Sequence, residues 1–266
     1  MQNKTSSPSP ICSSKAIVYL SVQLLTFVLN TFAALVLWRL KGYRRNISHL
    51  VVRVLVISDA LGSLASVIPI IESCSGTKLR DSTLCTVFGY LSSVFLLWTA
   101  LIVLFMCTLR YLALVRPLFY RTRLNYDIVW YILAGELIWS GAHLVLPLTG
   151  VGRFKFYSQG QYCAFEIKPT NAKDAALIHI TVWEGWLTIA VLAFFSVRML
   201  RELRMKQRRA SRMSFQQRRG VQATSTRQQG YTLMTIAIVV IFMVCFIPFL
   251  VSWICYYYYC CCFNFF

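Results

Sequence analysis

The sequence predicts an all-α integral membrane protein, and three observations predict it. The 266 residues are 58% hydrophobic and 15% aromatic, with only 14% charged. That is more apolar surface than a soluble chain of this length can bury. The apolar residues fall into six charge-poor runs, at about residues 16–38, 50–72, 86–109, 127–149, 175–197 and 231–255. Each is long enough to cross about 30 Å of hydrocarbon as a helix. Helices and closed barrels alone satisfy their backbone there, and no run alternates with the period of two that a barrel strand needs.

The first run follows a polar stretch of 15 residues that lacks a cleavable signal pattern. Short basic connections follow the first and third runs. A longer basic segment rich in Ser, Gln and Arg, residues 198–230, follows the fifth. Its start, Arg201-Glu202-Leu203-Arg204-Met205-Lys206, holds good helix formers and is expected to extend the fifth helix. Arg208-Arg209-Ala210-Ser211 reads either as a phosphorylation site or as a solvated arginine-rich loop. Residues 256–266 form an atypical low-complexity tail of tyrosines, cysteines and phenylalanines. We find no internal repeat, and six spans are expected.

The net charge of +18 does not point to nucleic acid, because of where it lies. With the N-terminus outside, the inner connections hold eighteen basic residues and the outer segments hold eight. That asymmetry is the positive-inside bias, and it predicts a multi-pass protein with an extracellular N-terminus. Asn3-Lys4-Thr5 is then an outer glycosylation acceptor, whereas Asn46-Ile47-Ser48 falls inside and is expected to be unused.

Of the ten cysteines, Cys85 and Cys163 fall on the outer side, where disulfides persist. Cys12 and Cys74 are also outside and could pair. Cys107 and Cys245 lie within runs, as packed thiols do. Cys260-Cys261-Cys262 lacks metal-ligand spacing. Asp59, midway through the second run, and Asn30, near the middle of the first, are polar residues at positions where polarity is costly and often functional. Glu136 and His143, seven apart, share a helix face and suggest a structural polar seam. No pattern of catalytic residues is present, which points away from an enzyme. The sixth run carries Phe242-Met243-Val244-Cys245-Phe246-Ile247-Pro248, in which the proline is expected to kink the helix.

Together these residues resemble the rhodopsin-like (class A) G-protein-coupled receptors. Cys85 precedes the Arg110-Tyr111 pair by 25 residues, roughly 37 Å of helix, as in the third helix of that family. The resemblance implies a disulfide between Cys85 and Cys163, and contacts from Arg110, Tyr111 and Pro117 to a heterotrimeric G protein. It also implies a sodium or polar network at Asn30, Asp59 and Thr99, and an activation switch at Phe242, Phe246 and Pro248. Sodium at Asp59 is the one cofactor it suggests.

Leu146-Pro147-Leu148-Thr149-Gly150-Val151-Gly152-Arg153-Phe154 and Gly160-Gln161-Tyr162-Cys163-Ala164-Phe165 resemble the outer loop of the prostanoid receptors within that class. Asp59-Ala60-Leu61-Gly62 and Val244 to Phe249 also resemble segments of those receptors, within the second and sixth runs. The implied ligand is a small lipid acid, a prostaglandin of the E, D or prostacyclin kind, with signalling that raises cyclic AMP. Ser92, Gln161 and Tyr162 are the candidate ligand-binding residues. The plasma membrane is the implied location, and a receptor dimer is a further partner the resemblance allows.

The chain departs from the pattern in several places. Leu109 stands where an acidic residue normally precedes the arginine, and Tyr162 stands where the loop carries tryptophan. The six runs also leave the expected bundle without its seventh helix, as if cut off after the sixth. That absence motivates an alternative, a truncated isoform that does not signal and regulates full-length receptors. A class A receptor for another ligand is a second alternative.

Overall fold

The computed structural model describes residues 12–39, 46–75, 83–157, 162–166, 171–211, 230, 232–247 and 250–251. The helices are α1 (Ser14–Arg39), α2 (Ile47–Cys74), α3 (Thr83–Val115), α4 (Pro117–Arg123), α5 (Tyr126–Leu144), α6 (Ala172–Ser211) and α7 (Thr232–Ile247). Between α5 and α6 come a 3-10 turn (Leu146–Thr149) and a hairpin of β1 (Phe154–Tyr157) and β2 (Tyr162–Phe165).

Local chemistry sets the boundaries. Ser13 caps α1 by accepting from the Ala16 amide at 3.1 Å. The Asn46 side chain caps α2 through Ser48, and Asn125 does the same for α5 through Ile128 at 2.9 Å. Asn171 accepts from the Asp174 amide in the first turn of α6. Each such cap satisfies one of the donors a helix start leaves orphaned. Pro117 begins α4, where its missing N–H costs nothing. Gly150, at φ 94°, ends the 3-10 turn in the left-handed region that glycine adopts without strain.

Five segments are long and apolar enough to cross a membrane: Ser14–Arg39, Ile47–Cys74, Thr83–Val115, Tyr126–Thr149 and Ala172–Met205. Thr232–Ile247 is a shorter apolar helix. The expectation of six helices with a seventh wanting is therefore corrected. Seven α-helices are described, and the seventh in chain order is α7. The helix that the sequence reading lacked is α4, which lies where it expected a loop. Periodicity could not reveal α4, because it is only two turns long and buries none of its residues.

The fold divides into two compact units, residues 1–99 with 134–177, and residues 100–133 with 178–266. In the first unit α2 is the central element, burying Val51, Val54, Leu55, Ala65, Val67 and Ile70. It packs along α1 and also meets β2. Gly62 lets α2 approach α3 closely, since a Cβ there would stand 3.1 Å from the Phe95 Cβ. In the second unit Ile102, Val103, Met106, Val129, Leu192, Met199 and Val239 are buried. There Thr232 and Thr235 are buried on one face of α7. Gly185 of α6 admits Leu250, whose Cδ2 lies 2.8 Å from where a Cβ would be.

The α1 side chains Val18, Val22, Leu25, Leu29 and Phe32 are each more than half exposed. An apolar stripe of this length facing outward belongs in lipid rather than in water.

Overpacking the α2–α3 contact tests this packing. Gly62→Leu should cost about 1–3 kcal/mol and lower the thermal midpoint of the detergent-purified protein. Gly135→Ala, at a site with nothing within 4 Å, should not lower it. Equal behaviour of the two variants would contradict the close approach.

Candidate functional site

The first candidate site is built on the β1–β2 hairpin. Its register pairs Phe154 with Phe165 and Phe156 with Cys163. Cys163 is bonded to Cys85 at the start of α3, with Cα atoms 5.4 Å apart. The Phe154 ring meets Phe165 edge-on at 6.1 Å and Tyr90 of α3 at 6.5 Å. Gly89 makes room for that ring, because a Cβ there would lie 2.9 Å from it. Gly152, at φ 81°, turns the chain into β1 and donates its amide to the Asp174 carboxylate at 2.7 Å. A second disulfide, Cys12–Cys74, ties the segment before α1 to the end of α2, which resolves a pairing the sequence left open.

Of the two candidate ligand-binding residues of the hairpin segment, Tyr162 is the one the structure describes. Its ring stacks on Tyr157 at 5.4 Å and meets Tyr19 of α1 at 5.5 Å. Burial raises the pKa of its phenol. Tyr157 in turn donates to the Phe165 carbonyl at 3.2 Å. The hairpin thus leans on α1 through a run of three tyrosines. Gln161 lies outside the described residues. Ser92 donates to the Gly89 carbonyl of its own helix at 3.1 Å.

The base of the hairpin carries a charge cluster that sequence reasoning missed. Glu166, with only 6% of its side chain exposed, accepts from both Arg153 and Lys155. Burial alone would raise the carboxyl pKa. The two hydrogen bonds and cationic charges outweigh it and hold the pKa below its ordinary value. The available signal was in the strands themselves, since Phe154-Lys155-Phe156-Tyr157 and Tyr162-Cys163-Ala164-Phe165 have the aromatic content of strands.

Within the helices of the first unit, the Thr99 hydroxyl donates to the Asp59 carboxylate at 2.8 Å and lies 3.0 Å from the Ser58 hydroxyl. Ser58 also reaches the Phe95 carbonyl at 3.4 Å. Asp59 and Thr99 are therefore brought together, and Ser58 joins them without having been singled out. Asn30 instead donates to the Thr26 carbonyl of its own helix at 3.0 Å. One carboxylate and two hydroxyls are hard oxygen donors of the kind a sodium ion takes. Among the described residues no group of three His, Cys, Asp or Glu side chains is placed to hold a metal.

In the second unit, Arg110 is half-buried near the end of α3. The neighbouring Tyr111 ring meets Phe195 of α6 at 5.0 Å. Leu109, in the usual place of an acidic residue, is buried at 5% exposure. Pro117 is exposed at the start of α4, and the next residue, Leu118, is 79% exposed. Phe242 and Phe246 stack on each other along α7 at 5.0 Å. Pro248, Asn3 and the 256–266 tail lie outside the described residues.

Comparison with known proteins identifies the class. The family described as "7 transmembrane receptor (rhodopsin family)" matches residues 29–265. The chain belongs to this family, which is one of receptors and not of enzymes. The match continues to residue 265, and with the seven described helices it replaces the expectation of a chain cut off after its sixth helix.

The Prostaglandin E2 receptor EP2 subtype of Rattus norvegicus is 27% identical over 225 residues, covering 78% of this chain and 62% of that protein. The Prostaglandin D2 receptor of Homo sapiens is 25% identical over 155 residues, covering 56% and 43%. The chain thus spans about three fifths or less of the length of these relatives. Squid rhodopsin shares the fold at a TM-score of 0.77 with 16% identity, covering 90% of this chain and 70% of that one.

The charge cluster makes the hairpin pH-dependent. Because the pKa of Glu166 is lowered on folding, its contribution is fully present above the ordinary carboxyl value of 4.5 and is lost as pH falls through the lowered value. Amide exchange in β2 should therefore accelerate as the pH drops below about 4.5, after correction for intrinsic rates. Glu166→Gln should remove that dependence. A wild-type hairpin with flat corrected rates down to pH 3 would contradict it.

Proposed function

We propose that this chain is a receptor for a small lipid acid, a prostaglandin of the E, D or prostacyclin kind, acting through a heterotrimeric G protein and raising cyclic AMP. The observation that carries the reading is the outer hairpin, whose sequence resembles the outer loop of the prostanoid receptors. It is bonded to α3 through Cys163 and rests on α1 through Tyr162. The prostaglandin receptors among the relatives support the same ligand class. Tyr162, with Gln161 and Ser92, would contact the ligand beneath this lid. The N-terminus would face outward at the plasma membrane, with Asn3 glycosylated, and the chain could pair with a second receptor copy.

Ligand binding would act by shifting a population between two states. Phe242 and Phe246, with Pro248, would form the hinge about which α7 swings outward. Arg110, Tyr111 and Pro117 would then meet the G protein. In cells expressing this chain, prostaglandin E2, prostaglandin D2 or a prostacyclin analogue should raise cyclic AMP in a dose-dependent way. Arg110→Ala should abolish that response while leaving ligand affinity within about threefold, a loss below 1 kcal/mol. No binding and no response to any of the three ligands would overturn the proposal.

Sodium would sit beside Asp59, supported by the Thr99 and Ser58 hydroxyls, and would favour the state that binds agonist weakly. Agonist affinity should then fall when sodium replaces a large organic cation. Asp59→Asn should lose that sensitivity, by removing the one carboxylate of the cluster. Equal sodium dependence in the variant and the parent would rule the site out.

A further inference from the structure

Arg53 occupies an unusual place. Of the 27 basic residues in the chain, it alone falls within one of the six apolar runs. It lies six residues into α2, about 9 Å from the helix start. A cation at such a position is costly unless its head reaches the interface or finds a counter-charge. Its guanidinium reaches across to α1, where Nη2 donates to the Leu37 carbonyl at 2.9 Å. Its Nε is buried with no hydrogen-bond partner. Among the described residues no carboxylate forms an ion pair with it; the ion pairs found there join Arg153 and Lys155 to Glu166.

The height of that carbonyl locates the charge. Leu37 lies two residues before the end of α1 at Arg39, so the guanidinium sits within about 3 Å, along the axis, of the helix terminus. Trp38, next to Leu37, is 71% exposed, and exposed tryptophans mark the boundary between hydrocarbon and headgroups. Arg39 is exposed beside it. The first turn of α2 carries no acidic residue, and the positive end of its dipole is offset at this edge by the negative C-terminus of α1, so the charge of the edge is that of Arg53 and Arg39. One carbonyl leaves most of the guanidinium charge uncompensated. Among the described residues no anion is placed there, whereas the inner leaflet supplies one.

We infer that the α1–α2 edge at Arg53 and Arg39 binds the phosphate of an anionic phospholipid headgroup, with Trp38 against the upper acyl chain. The position of this edge at the inner leaflet rests on the orientation proposed above. The binding itself depends on neither a prostaglandin nor a G protein. Arg53 suits the task because its planar fork can bond Leu37 and a phosphate oxygen at once.

The test offers the full detergent-purified chain equimolar phosphatidylserine and phosphatidylcholine and reads the bound lipids by native mass spectrometry. The wild type should favour phosphatidylserine, and Arg53→Gln should reduce that preference by about fivefold, the weight of one basic side chain at an anionic surface. Undiminished preference in Arg53→Gln would overturn the proposal. If Arg53→Gln does not fold, Arg39→Gln, at the exposed end of α1, should reduce the preference in the same sense, and no reduction would overturn it. Inorganic phosphate at millimolar concentration should fail to displace the lipid; displacement would show a site for free phosphate instead. A chain that ignores prostaglandins yet keeps the preference would separate failure of the receptor reading from failure of this one.

Discussion

A backbone amide in hydrocarbon has no water to bond, so every spanning segment of this chain must close its own hydrogen bonds. The rest of the structure follows from that constraint. It makes the spans helical, and it leaves their outward side chains apolar and exposed, as along α1. It also governs the polar side chains within them. Ser21, Thr26, Ser66, Thr108 and Thr188 each return a hydroxyl to the carbonyl four residues earlier. Each of those bonds satisfies the hydroxyl's own donor within one helix. Other polar contacts cross between helices. In the first unit Asp59 meets Thr99, Ser58 meets Thr99 and the Phe95 carbonyl, Tyr90 donates to the Gly141 carbonyl and Arg53 to the Leu37 carbonyl.

The hairpin escapes the constraint by pairing its strands and anchoring itself outside the helices. Its anchors are of three physical kinds. The covalent one is Cys85–Cys163. The electrostatic one is Glu166 beneath Arg153 and Lys155. The aromatic one is the contact of Tyr162 with Tyr157 and Tyr19. Together they hold a short two-stranded unit that would be marginal alone. If it acts as the proposed lid, a unit fixed in this way would present side chains to a ligand with little ordering left to do on binding.

The helical membrane class was legible because long charge-poor runs have few other physical meanings. The family was legible from point features at fixed helical distances, such as Cys85, Asp59 and Arg110. What escaped lacked such a signal. The helix α4 is short and buries none of its residues, so no periodic stripe marks it, although Pro117 at its first position was a clue. The hairpin strands are four residues each, too short for alternation to stand out among aromatic residues. Asn30 and Asp59 were expected together, but side-chain direction decides such meetings, and Asn30 turns back along α1. Ser92 likewise turns to Gly89. Reading seven helices as six spans with one lost came from counting apolar runs alone, and a count of that kind cannot register a helix outside the hydrocarbon.

The most direct measurement is hydrogen–deuterium exchange of the purified chain with and without prostaglandin E2. A receptor whose pinned hairpin covers the ligand should show slower exchange at Tyr162 to Glu166 when the ligand is bound. The stretch around Phe242 to Phe246 in α7 should change as well, since the population shifts toward the activated state. Identical exchange in both regions at saturating ligand would contradict the hairpin as a lid and the chain as a prostaglandin receptor.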